Sequence, residues 1–257
     1  KRVDKELESA KKLLDNASTV VAVTGAGISA ESGVPTFRGP EGLWKSYRPE
    51  DLATPEAFAR NPQIVWEWYA WRRKLIETCS PNPAHLALAR LALDHLEVAI
   101  ITQNVDGLHA RAAKEEAGHA DPSAALPIEL HGSINQDRCS ACGFHRPGSP
   151  QIDVTSVETL PQCDRCSALM RPDIVWFGEA LDRVILDKAF RLAESADLCL
   201  VIGASALVHP AASVPLATLD NGGKLIEINL QETSLSPYAS AQPRGSAAVI
   251  LTKLMPR

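Results

Sequence analysis

Short apolar runs that stop at glycine or a polar residue alternate along this chain with longer stretches whose apolar positions recur every three or four residues. The runs 19–23, 98–102, 174–177, 198–203 and 224–229 predict strands, since brief apolar segments bounded by turn-forming residues suit a strand buried on both faces. The stretches 62–78, 83–93, 181–195 and 211–219 predict helices between them. Residues 1–17 carry Leu7, Ala10, Leu13 and Leu14 on one helical face and predict an opening amphipathic helix. Such alternation predicts an α/β fold, a doubly wound parallel sheet covered by helices. Ligands on these sheets bind beyond the carboxyl ends of the strands, so the residues that follow each run are the candidates for chemistry.

Two stretches break the alternation. Residues 33–55 are rich in Gly, Pro and aromatic side chains and are too long for a plain connection, so they are expected to lid or shape a site. Residues 131–172 show little apolar periodicity and hold four of the six cysteines, which predicts a small inserted module. Cys139-Ser-Ala-Cys142 and Cys163-Asp-Arg-Cys166 enclose twenty residues, the two-knuckle spacing by which four thiolates surround one tetrahedral Zn²⁺. A complete thiolate shell leaves no position for water, so this metal is expected to hold the module together rather than to catalyse. Two disulfides or a redox Cys-x-x-Cys are the alternative, disfavoured by the turn-rich surroundings that end in Gly143 and Ser167. Cys79 stands alone, and Cys199 lies in an apolar run and is expected in the core.

Composition narrows the function classes. Hydrophobic residues at 45% and charged residues at 22% fit an ordinary globular chain, and no apolar run approaches the length needed to span a bilayer. The formal net charge of -5 and the lack of a Lys/Arg stripe argue against a nucleic-acid partner. The opening segment lacks the apolar centre of a secretory signal, so a cytoplasmic location is expected, with a mitochondrial one left open by removal of a transit peptide. A monomer is expected.

Candidate chemistry sits where the strand runs end. Thr24-Gly25-Ala26-Gly27-Ile28-Ser29-Ala30 satisfies G-x-G-x-x-A after the first run, a turn that lets backbone approach a pyrophosphate at a helix N-terminus. A hydride-transferring dehydrogenase should next offer a strand ending in an acidic residue, but Gly33-Val-Pro-Thr-Phe37-Arg38-Gly39 and Glu41-Gly-Leu-Trp44 intervene. The departure points to a dinucleotide handled for something other than hydride transfer. Gln103, Asn104 and Asp106 follow the second run and offer amide and carboxylate groups suited to a carboxamide and ribose hydroxyls. Gly203-Ala204-Ser205 and Glu227-Ile-Asn229 end two further runs. Each cluster alone is equally a turn or cap; their joint occurrence carries the reading. His131 follows the run 126–130, and an imidazole near its unperturbed pKa of about 6.5 can accept a proton at neutral pH.

Taken in order, Gly25-Ala-Gly-Ile-Ser29, Val34-Pro-Thr-Phe-Arg-Gly39, Thr102-Gln-Asn-Val-Asp106, His131-Gly132, the cysteine pairs, Phe177-Gly-Glu179 and Gly203-Ala-Ser205 resemble the sirtuin family of NAD-dependent protein deacylases. The likeness runs from about residue 18 to 250, and the compact loop between the cysteine pairs resembles that of bacterial members. It implies a Rossmann-type NAD-binding domain over residues 1–131 and 173–257, in which an insertion over about 33–80 lines an acyl pocket. A small zinc-binding module over 132–172 would complete the chain, with NAD and an acylated-lysine peptide meeting between the two. By the same likeness, Gly25, Ala26, Gly27, Ser29, Phe37, Arg38 and Trp44 would wrap the cofactor. Gln103, Asn104 and Asp106 would hold ribose and carboxamide; Gly203, Ser205 and Asn229 the adenosine half; and Ala247 the adenine edge. The peptide would add as a strand between Phe177-Gly178-Glu179 and the segment beginning at Val208, so that main-chain bonds bind it with little sequence demand. One departure stands out: Ala204 occupies a position where the family usually has Thr.

The family's chemistry assigns His131 the role of general base. The acyl oxygen of the modified lysine attacks the ribose carbon bearing nicotinamide, which leaves, giving an alkylimidate. By that likeness His131 would then deprotonate a ribose hydroxyl so that the 2′ oxygen attacks the imidate, and water would release lysine and 2′-O-acyl-ADP-ribose. On helical spacing Tyr69 and Arg72 share a face. Residue patterns alone would make Tyr69 core and Arg72 a solvated charge, but the pair matches the Tyr-x-x-Arg of desuccinylating sirtuins, and Ala53 matches their small channel residue. Removal of succinyl, malonyl or glutaryl groups, with acetyl retained, is therefore expected. The alternatives are a mainly acetyl-specific deacetylase and an NAD-dependent mono-ADP-ribosyltransferase.

Overall fold

Strands β1 (Val20–Thr24), β2 (Val98–Thr102), β3 (Ile128–Glu129), β7 (Leu198–Ile202) and β8 (Lys224–Ile228) form one wholly parallel sheet in the order β3-β2-β1-β7-β8. The computed structural model describes residues 2–36, 43, 46, 48–94, 97–149 and 151–256. Every residue of β1 and β7 is buried, as near-continuous Val/Ile/Leu runs require when helices cover both faces. Alternate side chains part to the two sides. Val20, Ala22, Leu198, Leu200 and Ile202 pack with helices α1 (Arg2–Asp15), α5 (Pro83–Asp94), α6 (Leu108–Ala117) and α9 (Ala247–Leu254). Val21, Val23, Cys199 and Val201 pack with α7 (Arg183–Glu194) and α8 (Val214–Asp220), which puts Cys199 in the core as expected.

The register fixes where the site must lie. Thr24 pairs with Thr102 on one side and Ile202 on the other, and Ile202 pairs with Ile228. The strands thus end level, and Gly25, Gln103, Gly203 and Asn229 stand side by side at their carboxyl ends. The chain winds outward from β1 to β3 on one side and from β7 to β8 on the other, so the switch point falls between β1 and β7.

A second, antiparallel sheet has the order β5-β4-β6, from β4 (Gly132–Cys139), β5 (His145–Pro147) and β6 (Met170–Ile174). The expected strand at 174–177 is therefore corrected: the strand here ends at Ile174 and pairs with β4, outside the parallel sheet. Trp176 and Phe177 follow it as non-strand chain, an apolar stretch that serves packing rather than a ladder. Helices α2 (Pro49–Leu52), α3 (Pro55–Arg60) and α4 (Pro62–Glu77) lie against this sheet in a core of their own. Thr54 and Asn61 cap α3 and α4 by accepting the N–H groups of Ala57 and Ile64, and Pro55 and Pro62 open the two helices. Trp66 Nε1 donates to Met170 O at 2.9 Å, and the Arg73 guanidinium grips Ile134 O, Gln136 O and the Asp137 carboxylate, the last at 2.6 Å. The basic run 72–74 thus splits: Arg73 is buried against β4, and only Lys74 faces water.

Candidate active site

Around the switch point opens a cavity of about 630 Å³. Its floor is the row of strand ends: Gly25, Ala26 and Gly27 after β1, Gln103 and Asn104 after β2, Gly203, Ala204 and Ser205 after β7, and Asn229 after β8. The glycines answer to chain crowding. A Cβ on Gly27 would stand 2.7 Å from Gly203 Cα, and Gly203, at φ +60°, would push one to 2.4 Å from Ile28 N. The turn after β1 enters two single 3-10 turns, Ala26–Ile28 and Ala30–Ser32, rather than the α-helix that the G-x-G-x-x-A reading supposes. The anticipated helix N-terminus is thereby corrected to a tight double turn wedged against β7.

Below the floor lies a buried polar network. His85 Nδ1 accepts the Asn82 N–H, so its proton sits on Nε2, which faces Ser29 Oγ at 3.3 Å. Ser29 Oγ also accepts from Asn104 Nδ2 at 3.2 Å and donates to Asp106 Oδ2 at 2.7 Å, which uses the full capacity of one hydroxyl. Both Asn104 N–H groups are then spent, on Ser29 and on Gly25 O at 3.1 Å, and Oδ1 remains the polar end that Asn104 can offer the cavity. Ser29 and Asp106 are themselves buried beneath the cavity lining. Burial raises the Asp106 carboxyl, against bonds from Leu108 and Ser29. It also drives His85 down to about 4 and His109 well below its usual value.

His131 enters the wall one residue before β4. Its Nδ1 stands 2.9 Å from Gln103 O. A carbonyl only accepts, so Nδ1 carries the hydrogen and the neutral ring presents an Nε2 lone pair. Among the described residues Nε2 makes no hydrogen bond. Burial lowers the His131 pKa, with the Gln103 carbonyl working against it, so the basic form is the resting form at neutral pH.

On the side of α3 and α4 the cavity is lined by Ala53, Trp68, Tyr69 and Arg72, and Val105 and His131 line the same cavity. Arg72 is 4% exposed and lies over the Trp68 ring at 4.9 Å, so the charge turns inward, against the solvated reading of a basic run. Burial pulls its pKa down while Tyr69 and Asp106 hold it up. The Tyr69 hydroxyl accepts from Trp176 Nε1 at 2.8 Å, and burial pushes its pKa up to about 12, which keeps it a phenol. Phe177, Gly178, Glu179 and Val208 form the rim. The Glu179 carboxylate is already committed to Arg171, at 2.6 and 2.8 Å, and to the Trp176 backbone N–H, and its own N–H donates to Trp176 O, leaving its backbone carbonyl for any ligand. Ala247 opens α9 at 4% exposure and is not among the lining residues. Phe37, Arg38 and Trp44 lie outside the described residues, as does much of the expected lid.

Sequence reasoning passed over Trp68 and Trp176, which shape the wall, and Leu230 to Thr233, which complete the rim. The aromatic stripe on α4 was a signal for the first; nothing in the sequence marks the others. A further cavity of about 530 Å³ lies at the opposite, amino ends of the strands, where the Asp197 carboxylate is spent on the Ser18 and Thr19 N–H groups. It holds none of this chemistry.

The four cysteines of the second sheet fit a metal. Their sulfurs lie within 4.8 Å of one another, with Cys139–Cys166 at 3.5 Å and Cys142–Cys163 at 3.7 Å, and none is in a disulfide. A tetrahedron with Zn–S of about 2.3 Å has edges of about 3.8 Å. Cys139 and Cys163 sulfurs also accept N–H groups from their own knuckles, each at 3.4 Å, and Gly143 and Ser167 turn the chain in the left-handed region. Four sulfurs so arranged would hold one structural Zn²⁺.

The Sir2 family model matches residues 25–210. The chain belongs to the Sir2 family. An NAD-dependent protein deacylase of Pyrococcus abyssi is 49% identical, covering 95% of this chain and 94% of its own length. A solved Sir2 homologue in complex with NAD superposes with a TM-score of 0.84 at 44% identity, covering 98% of this chain and 92% of that one. A Sir2 complex with a p53 peptide and NAD+ superposes with a TM-score of 0.81 at 34% identity, covering 95% of each chain. The Sir2 fold thus accounts for the parallel sheet and the cysteine module alike.

Proposed function

We propose that this Sir2 chain is an NAD-dependent protein lysine deacylase whose cavity favours acyl groups ending in a carboxylate: succinyl, malonyl and glutaryl, with acetyl retained. The observation that carries the preference is that Ala53, Tyr69, Arg72 and His131 line one cavity. A guanidinium grips a carboxylate through two parallel charge-assisted bonds, and a phenol hydrogen adds a third. Ala53, with its short side chain, leaves room for the longer acyl chain.

NAD, with which the solved Sir2 homologue is in complex, is the co-substrate in this reading. At the strand-end row the Gly25, Gln103 and Gly203 N–H groups are bonded to Ile202, Thr24 and Ile228 carbonyls, so the row offers NAD close backbone approach and the Gln103 side-chain amide, and Ser205 and the Asn104 Oδ1 offer more. The Nε2 of His131 takes a ribose hydroxyl proton while Nδ1 stays tied to Gln103 O, so that the ring cannot turn as its charge changes. The walls exclude bulk water that would otherwise cleave the glycosidic bond. A Zn²⁺ held by Cys139, Cys142, Cys163 and Cys166 would keep β4 in place, and with it His131, and would take no part in the chemistry.

The test is to incubate matched acetyl-, succinyl- and glutaryl-lysine peptides with NAD and weigh the products, for the native chain and Arg72→Met. Succinyl turnover should fall at least tenfold more than acetyl turnover in the variant, the worth of about 1.4 kcal/mol. Equal losses on both would refute the carboxylate pocket. ADP-ribose left on the peptide would identify transfer instead of deacylation.

A further inference from the structure

Tyr69 does not act alone in the wall. Its hydroxyl oxygen accepts the Trp176 indole N–H at 2.8 Å, and among the described residues its own hydrogen finds no acceptor. The indole that makes this bond is itself held: the Arg171 guanidinium lies 3.4 Å over its ring, and the Glu179 carboxylate binds both Arg171 and the backbone N–H of Trp176. Trp176 is 3% exposed and its ring stands 6.3 Å from that of Tyr69.

We propose that Trp176 is a specificity-positioning residue: its indole N–H occupies the lone pair of the Tyr69 hydroxyl so that the phenolic hydrogen is aimed into the cavity as a donor for a carboxylate. The inference rests on the proposed acyl preference and deepens it. A phenol has one hydrogen and can rotate it to whichever acceptor is near. A donor fixed at the oxygen removes the orientations in which that hydrogen would meet the indole, and leaves those that face the cavity. A carboxylate gains from the aimed hydrogen, whereas an acetyl methyl has nothing to accept it. The same anchoring runs from Glu179 at the rim through Arg171 and Trp176 to Tyr69, so the rim and this wall of the cavity are set by one chain of contacts.

The experiment is a double-mutant cycle read as the ratio of kcat/KM for succinyl-lysine to that for acetyl-lysine peptide. Trp176→Phe keeps an aromatic ring and removes the N–H. The ratio should fall about fivefold to tenfold, the size of one oriented hydrogen bond. In a Tyr69→Phe background, the same change should leave the ratio where Tyr69→Phe alone puts it. A ratio unmoved by Trp176→Phe, or moved equally in both backgrounds, overturns the proposal. If Tyr69→Phe itself leaves the ratio unaltered, the carboxylate reading falls first. Should Trp176→Phe fail to fold, benzothienylalanine incorporated at position 176 keeps the indole shape with sulfur in place of N–H, and the same outcomes apply.

Discussion

At the scale of single residues, burial does most of the chemical tuning, and it acts with opposite sign on bases and acids. His131 loses affinity for protons through burial, so its lone pair survives below pH 6.5. The acid limb of kcat/KM should therefore lie below pH 6.5, and a limb above that value would contradict the base assignment. Glu129 shows the reverse. Burial raises its carboxyl to about 7, with Asp106 and Asp173 adding to the effect. Between an unfolded value near 4.5 and a folded value of about 7, the native state binds the extra proton. Stability from this group is therefore full below pH 4.5 and lost as pH rises through 7. Glu129→Gln should stabilise the fold by about 1–3 kcal/mol at pH 8 and make no difference at pH 4, as urea midpoints at the two pH values would reveal.

At the scale of elements, the hydrophobic pattern was a good guide wherever one period ruled. The runs at 19–23, 98–102, 198–203 and 224–229 are β1, β2, β7 and β8 to within a residue or two, because a strand buried on both faces must be apolar throughout. The stretches 62–78 and 83–93 became α4 and α5 for the matching reason. The pattern failed at 174–177, where apolar residues pack without pairing, and at β3 and α6, which are too short or too polar to signal. The strand-end residues were legible because topology requires ligands there, whereas the Trp176 to Tyr69 bond joins positions 107 apart and leaves no local trace. The cysteine knuckles were legible from spacing alone, and they make a prediction. Trp66 and Arg73 of α4 grip β6 and β4, and His131 directly precedes β4, so stripping the metal should disorder the sheet and the wall together. A strong chelator should release one zinc per chain, read by a colorimetric indicator, and deacylation should be lost in step. Full activity after zinc release would separate module from site.

At the scale of the whole molecule, the cavity rim depends on a buried charge two residues before the strand-end Asn229. Glu227 on β8 is wholly buried and holds Thr233, Ser236 and Arg244, the last at 2.7 Å. That cluster folds residues 230–244 back along the β8 edge of the sheet, and the first of these residues line the cavity. Arg244→Met leaves the carboxylate uncompensated and should cost about 2–4 kcal/mol, at the low side of a buried pair because Arg244 is partly exposed. Chemical denaturation of the variant would measure the loss; an unchanged midpoint would mean that the hydroxyls alone suffice.

Helix α4 presents two neighbouring stripes of residues, with Trp66 and Tyr69 in one shared core. One carries Tyr69 and Arg72 to the cavity; the other carries Trp66 and Arg73 into the zinc sheet. Acyl preference can therefore drift during evolution, or be rewritten by an engineer, through two letters of one helix while the anchorage of that helix stays as it was.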